Sequence, residues 1–184
     1  TAFVLRRAIH DIGIWQEAGH AMKVAVNVSA ALISSQTFIT RLSDILREEG
    51  VPRERLTLEI TESAEIADFK TARAGLEAIR DLGVSISMDD YGTGQSTLSY
   101  LKSLPLSELK IDRSFVQYAH RDHGDALLVS STVELAHQLG LEVVAEGIED
   151  AECLEFLRSV NCDYAQGYYI AKPLSAVSLL AMVR

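Results

Sequence analysis

Apolar and polar positions follow two different periods along this chain, and the period switches repeatedly. Residues 3–19 place Phe3, Leu5, Ala8, Ile9, Ile12 and Trp15 at helical spacing, and residues 23–29 then alternate with a period of two. The same spacing rules predict helices over about 34–49, 68–82, 95–103, 123–139 and 149–159, and from about 175. Strands are predicted over 56–61, 84–89, 108–112, 142–146 and 163–167. Gly50, Gly83 and Gly140 close three of the helices, and Pro52 and Pro105 stand just past helix ends. No linker or low-complexity tract divides the chain, so the pattern reads as one domain of β/α units around a parallel sheet.

Side chains alternate faces along a strand. Val24, Val26, Val28, Leu56, Leu58, Ile60, Val84, Ile86, Met88, Leu109, Ile111, Val143 and Ala145 therefore share an apolar face that has to meet the helices. The opposite face carries Asn27, Glu59, Asp89, Lys110, Glu146 and Gln166 near the strand ends. An open doubly wound sheet concentrates its chemistry at one switch point, whereas a closed barrel gathers many strand ends on one face. Six polar strand ends in succession favour the barrel. A complete barrel of eight β/α units usually takes about 250 residues, more than the 184 present.

Composition narrows the chemistry. With 26 acidic against 17 basic residues the net charge is −9, which disfavours a nucleic-acid polymer as partner, and 48% hydrophobic content excludes a disordered chain. The two cysteines, Cys153 and Cys162, have no metal spacing and fit a reducing, cytoplasmic setting. No 18-residue apolar run exists to span a membrane. The first residues read as a helix rather than a signal peptide, which suggests that the natural chain begins earlier.

Glu59, Asp89 and Glu146 converge at the strand ends, with Asp90 adjacent. Two like charges about 4 Å apart repel by about 4 kcal/mol at an effective dielectric near 20, so such a cluster holds protons or cations. Carboxylates with the Asn27 amide oxygen are hard ligands suited to Mg²⁺ or Mn²⁺, and no histidine ends a predicted strand to favour zinc. Lys110 can balance the acids or meet an anionic substrate. The set suits metal-assisted hydrolysis of a phosphate ester, and equally enolate chemistry with a Lys base. The loop Asp89-Asp90-Tyr91-Gly92-Thr93-Gly94 closes a strand with two acids and then allows tight backbone beside a ligand. Glu62 either caps a helix or braces a neighbouring loop. Asp112, inward by parity, either orients Lys110 or faces water. Glu149 is expected in the first turn of a helix, and the histidines on the surface.

These residues carry a resemblance. Asn27-Val28-Ser29, Leu58-Glu59-Ile60-Thr61-Glu62-Ser63, the Asp89–Gly94 loop, Leu109-Lys110-Ile111-Asp112, Ala145-Glu146-Gly147-Ile148-Glu149 and Ala165-Gln166-Gly167-Tyr168 resemble the EAL-domain family of bacterial cyclic di-GMP phosphodiesterases. The match extends over essentially the whole chain. It implies a modified TIM barrel with one antiparallel strand, a two-metal site using Mg²⁺ or Mn²⁺, and opening of cyclic di-GMP to linear pGpG. By the same resemblance Asn27, Glu59, Asp89, Asp90 and Glu146 are metal ligands. Lys110, Glu146 and Asp90 are catalytic, with the identity of the general base left open. Gln166 and Glu149 line the substrate site, and Glu62 anchors the Asp89–Gly94 loop, which couples the site to dimerisation.

Tyr91 stands where the family more often has Phe, and Gln95 where it more often has an aromatic. The Glu-Ala-Leu triplet that names the family is absent from these 184 residues. The expectation is therefore a partial EAL domain over residues 1–184, the last six of eight strands, with its own activity impaired. It would belong to a longer protein with further signalling domains, membrane-anchored or not, and associate as a homodimer or through exposed barrel edges. A catalytically silent receptor for cyclic di-GMP and a dimerising interaction module are the alternatives.

Overall fold

The computed structural model describes residues 2–62, 68–94 and 98–183; Ser63 and Gln95, quoted above, lie outside them. In chain order the elements are α1 (Ala2–Glu17), β1 (Val24–Asn27), α2 (Ala30–Ile33), α3 (Gln36–Glu49), a 3₁₀ turn (Arg53–Arg55), β2 (Leu56–Thr61) and α4 (Phe69–Asp81). There follow β3 (Ser85–Tyr91), α5 (Leu98–Ser103), β4 (Glu108–Ile111), α6 (Arg113–Val116), α7 (His123–Gln138), β5 (Glu142–Glu146), α8 (Ala151–Ser159), β6 (Tyr164–Gln166) and α9 (Ala176–Met182). The predicted strands all form. Local chemistry sets the helix ends: Ser35, Asp68, Asp122 and Asp150 each accept a backbone N–H at a helix start, and Gly50 ends α3 in the left-handed region.

The six strands lie side by side in sequence order, each parallel to the next. Parallel neighbours require crossovers, which the helices supply. The helix-facing side buries Leu56, Leu58, Ile60, Ile86, Met88, Leu109, Ile111, Val143 and Ala145 against Leu42, Leu76, Ile79, Val133 and Leu157. Burying each such side chain contributes about 1.5–3 kcal/mol, so the outer face fixes which way every strand points.

The sheet curls. Lys23, just before β1, bonds Glu142 of β5 at 3.1 Å, and its ammonium lies 5.3 Å from the ring centre of Tyr164 in β6. Across a flat sheet, four strand spacings would hold β1 and β5 roughly 19 Å apart, far beyond a lysine's reach. The expected barrel curvature is present as a six-stranded half-barrel, with β1 and β6 as its edges among the described residues.

Candidate functional site

Inner-face parity brings Glu59, Asp89, Lys110 and Glu146 to one point. The register sets Asn27 beside Glu59, Thr61 beside Asp89 and Glu146 beside Gln166. Curvature then turns these side chains inward onto Lys110, which is only 5% exposed. Its ammonium lies 2.7 Å from Glu59 Oε1, 3.1 Å from Asp89 Oδ1 and 2.6 Å from Glu146 Oε1. Asn27 donates its side-chain N–H to Glu59 Oε2 at 3.0 Å. Burial opposes the charge on Lys110, but the bonds to Glu146 and Glu59 prevail, and its pKa rises above the ordinary 10.5.

Asp90 follows at a positive φ of 58°, where the β3–β4 register breaks between Met88 and Tyr91. That break turns the chain so that Asp90 feels the charges of Asp89, Asp112 and Lys110. Three carboxylates thus share one ammonium, and a fourth, Asp90, lies within reach of its charge. Burial, the largest cause, raises the pKa values of Glu59 and Glu146 above 4.5 in spite of Lys110, and that of Asp90 above 3.8.

The sign of the linkage follows. Acids with raised folded pKa values bind more protons folded than unfolded, so stability falls as pH rises from about 4.5 through those values. Asp68 and Asp163, whose values are lowered, act in the opposite sense below 3.8. Thermal melts in chelator should therefore show a decline above pH 4.5 that is shallower in Glu59→Gln. An identical slope in that variant would remove Glu59 as its source.

The Asp89–Gly94 loop is held from β2. Glu62, which is buried, accepts N–H bonds from Gly92 at 2.8 Å and Gly94 at 2.9 Å through one oxygen, and its own N–H bonds the Asp89 carbonyl at 2.9 Å. A Cβ on Gly94 would stand 2.9 Å from the Glu62 carboxyl carbon, so any side chain there would push that carboxylate from its place. Hydrogen bonds to a charged acceptor contribute about 1.5–3 kcal/mol each. Glu62→Ala should speed amide exchange at Gly92 and Gly94 by at least about tenfold, with β2 amides unchanged; protection retained at both glycines would exclude the anchoring role.

Other expectations resolve differently. Asp112 lies beyond β4 and caps α6 by accepting the Ser114 N–H at 2.9 Å, so it does not pair with Lys110. Glu149 precedes α8, whose cap is Asp150, and it meets Gln117 at 3.4 Å and Arg113 at 3.7 Å. His120 is half-buried, its imidazole turned inward with Asp150 at 3.5 Å, rather than on the surface. Gln166 is exposed on β6 and lines, with Glu59, Lys110, Thr57, Glu108 and Val144, a cavity of about 440 Å³ inside the half-barrel. The α6 turn and its contacts were missed from the sequence; Asp112-Arg113-Ser114, a cap residue opening a turn, was the available signal.

The acids, an amide and an exposed cavity form a donor set that fits a hard divalent cation. Among the described residues, however, no three acidic or histidine groups stand in the arrangement of a ready-made metal shell. The ammonium of Lys110 holds the centre between them.

A family model described as the EAL domain matches residues 1–173. The bifunctional diguanylate cyclase/cyclic di-GMP phosphodiesterase MucR of Pseudomonas aeruginosa is 40% identical over 182 residues, which is 98% of this chain and 27% of MucR. The cyclic di-GMP phosphodiesterase NbdA of the same organism is 38% identical over 183 residues, 99% of this chain and 23% of NbdA. The chain thus spans about a quarter of these relatives' length. The crystal structure of the EAL domain of Mycobacterium smegmatis DcpA matches with a TM-score of 0.92 at 37% identity, over 97% of this chain and 81% of that one. A PaMucR phosphodiesterase structure in complex with c-di-GMP matches with a TM-score of 0.89 at 38% identity, over 97% of this chain and 72% of that one.

Proposed function

The chain belongs to the EAL domain family, and from that we propose that it takes part in divalent-metal-dependent hydrolysis of cyclic di-GMP to linear pGpG. The observation that carries this reading is the convergence of Glu59, Asp89 and Glu146 on one buried lysine, with Asp90 at its rim. Asn27, Glu59, Asp89, Asp90 and Glu146 would hold Mg²⁺ or Mn²⁺. When bound, the metals would supply positive charge to the phosphodiester and lower the pKa of attacking water.

The chain's own residues do the rest. Lys110, raised in pKa, stays protonated across the physiological range and would lend positive charge to the reacting phosphate. Glu146, whose raised pKa leaves it a stronger base than an ordinary carboxylate, would take a proton. Glu62 keeps the Asp89–Asp90 segment from drifting. Gln166, which lines the cavity, and Glu149 would border the dinucleotide. Turnover by the 184 residues alone should be low, because the carboxylate of the Glu-Ala-Leu triplet is not among them.

Calorimetric titration of the chain with Mn²⁺ and then with cyclic di-GMP tests the reading, paired with product analysis on the protein extended upstream. Metal-dependent dinucleotide binding, weakened in Glu59→Gln, together with pGpG as product supports the enzyme. Binding without product marks a receptor. Neither binding nor product overturns the proposal.

A further inference from the structure

A helix of one turn, α6, lies between the two acid-bearing loops. Gly92, two residues after Asp90, has a φ of +103°, and a Cβ there would stand 2.7 Å from Phe115 Cε2. Gly147, directly after Glu146, has a φ of +79°, and a Cβ there would overlap Arg113 Cβ and stand 3.1 Å from its Cα. Both loops therefore lie flat on α6. Residues two apart on a helix do not share a face, so Arg113 and Phe115 meet the loops from different sides.

The turn is itself well fixed. Asp112 caps it, and the Val116 carbonyl accepts from Cys153 Sγ of α8 at 3.4 Å. Lys110, which bonds Asp89 and Glu146, ends only three residues upstream. α6 thus supports both acid-bearing loops, at Gly92 and at Gly147. On its own side the Asp89–Gly94 loop is clamped between the Glu62 carboxylate and the Phe115 ring. The ring and the loop together line a cavity of about 240 Å³, closed on its other side by Ile111, Leu128, Val129 and Thr132. Loss of the ring would enlarge that space and remove the surface on which Gly92 rests.

We propose that Phe115 is a positioning residue, which holds Asp89 and Asp90 at working distance from Glu146 by bearing on Gly92. Its kinetic consequence rests on the hydrolytic reading above; its structural consequence does not. A displacement near 1 Å at a reacting centre can cost about a hundredfold in rate.

Hydrogen exchange on the 184-residue chain tests the placement. Phe115→Ala should speed exchange at Gly92 and Gly94 by about tenfold or more, with β2 and β5 amides unchanged, and Phe115→Leu should restore most of the protection. In the hydrolytically competent protein, Phe115→Ala should lower kcat by about 10- to 100-fold with KM nearly constant, and Phe115→Leu should recover much of the loss. Equal acceleration at every strand amide, unchanged exchange at both glycines, or a raised KM at constant kcat would each overturn the proposal. If the wild-type protein neither binds nor hydrolyses cyclic di-GMP, the functional reading falls, and the exchange pattern still decides the role of Phe115.

Discussion

Lys110→Met should destabilise the metal-free chain more than removal of any one acid around it. The ammonium is buried and bonded to three carboxylates at 2.6–3.1 Å, whereas each acid shares it with two others. Removing one partner of a buried ion pair costs about 3–5 kcal/mol, because the remaining charge is left uncompensated. Here three carboxylates would face one another, and the cheapest relief is to bind protons. Their folded pKa values should rise further, so the loss should be smaller at pH 5 and approach its full size at pH 8. Urea unfolding at the two pH values measures this. Mn²⁺ should recover part of the lost stability, since a cation can neutralise the acids that Lys110 no longer meets. A midpoint equally lowered at both pH values would show that packing, not charge, is what Lys110 supplies.

Glu146→Gln should give the opposite pattern, with activity lost and the fold kept. Lys110 retains Glu59 at 2.7 Å and Asp89 at 3.1 Å, and one source of acid–acid repulsion disappears. Stability should change by less than about 1 kcal/mol, with any gain appearing above pH 4.5, where the wild-type acid is raised. In the hydrolytically competent protein turnover should fall at least about 100-fold if Glu146 has the metal-holding and proton-accepting roles proposed for it. Near-normal turnover in Glu146→Gln would take Glu146 out of the chemistry. Together the two variants separate what the cluster does for folding from the role proposed for it in phosphate-ester cleavage.

The strands, their order of faces and the acidic character of the inner face were legible in the sequence because they depend on neighbours two to four residues away. Alternation in Leu56–Thr61 fixes that Glu59 opposes Leu58, whatever surrounds it. The glycine after α3 and the acids before α4, α7 and α8 likewise stop or start helices through bonds made within one turn. Parity misled at Asp112, because β4 ends one residue sooner and a free side-chain oxygen at that point caps the next turn. It was silent on Asp90, whose turn toward the site comes from a positive φ at a register break.

Only the tertiary structure decided the rest. Which carboxylates meet Lys110 depends on sheet curvature, seen where Lys23 reaches Glu142 across the half-barrel. That curvature sums small twists over six strands and is written in no single segment. The hold of Glu62 on Gly92 and Gly94 spans 30 and 32 residues. The seating of Gly92 on Phe115 and of Gly147 on Arg113 exists only once β3, β4 and β5 are side by side. Local periodicity thus determined which residues face inward, and long-range packing determined which of them touch.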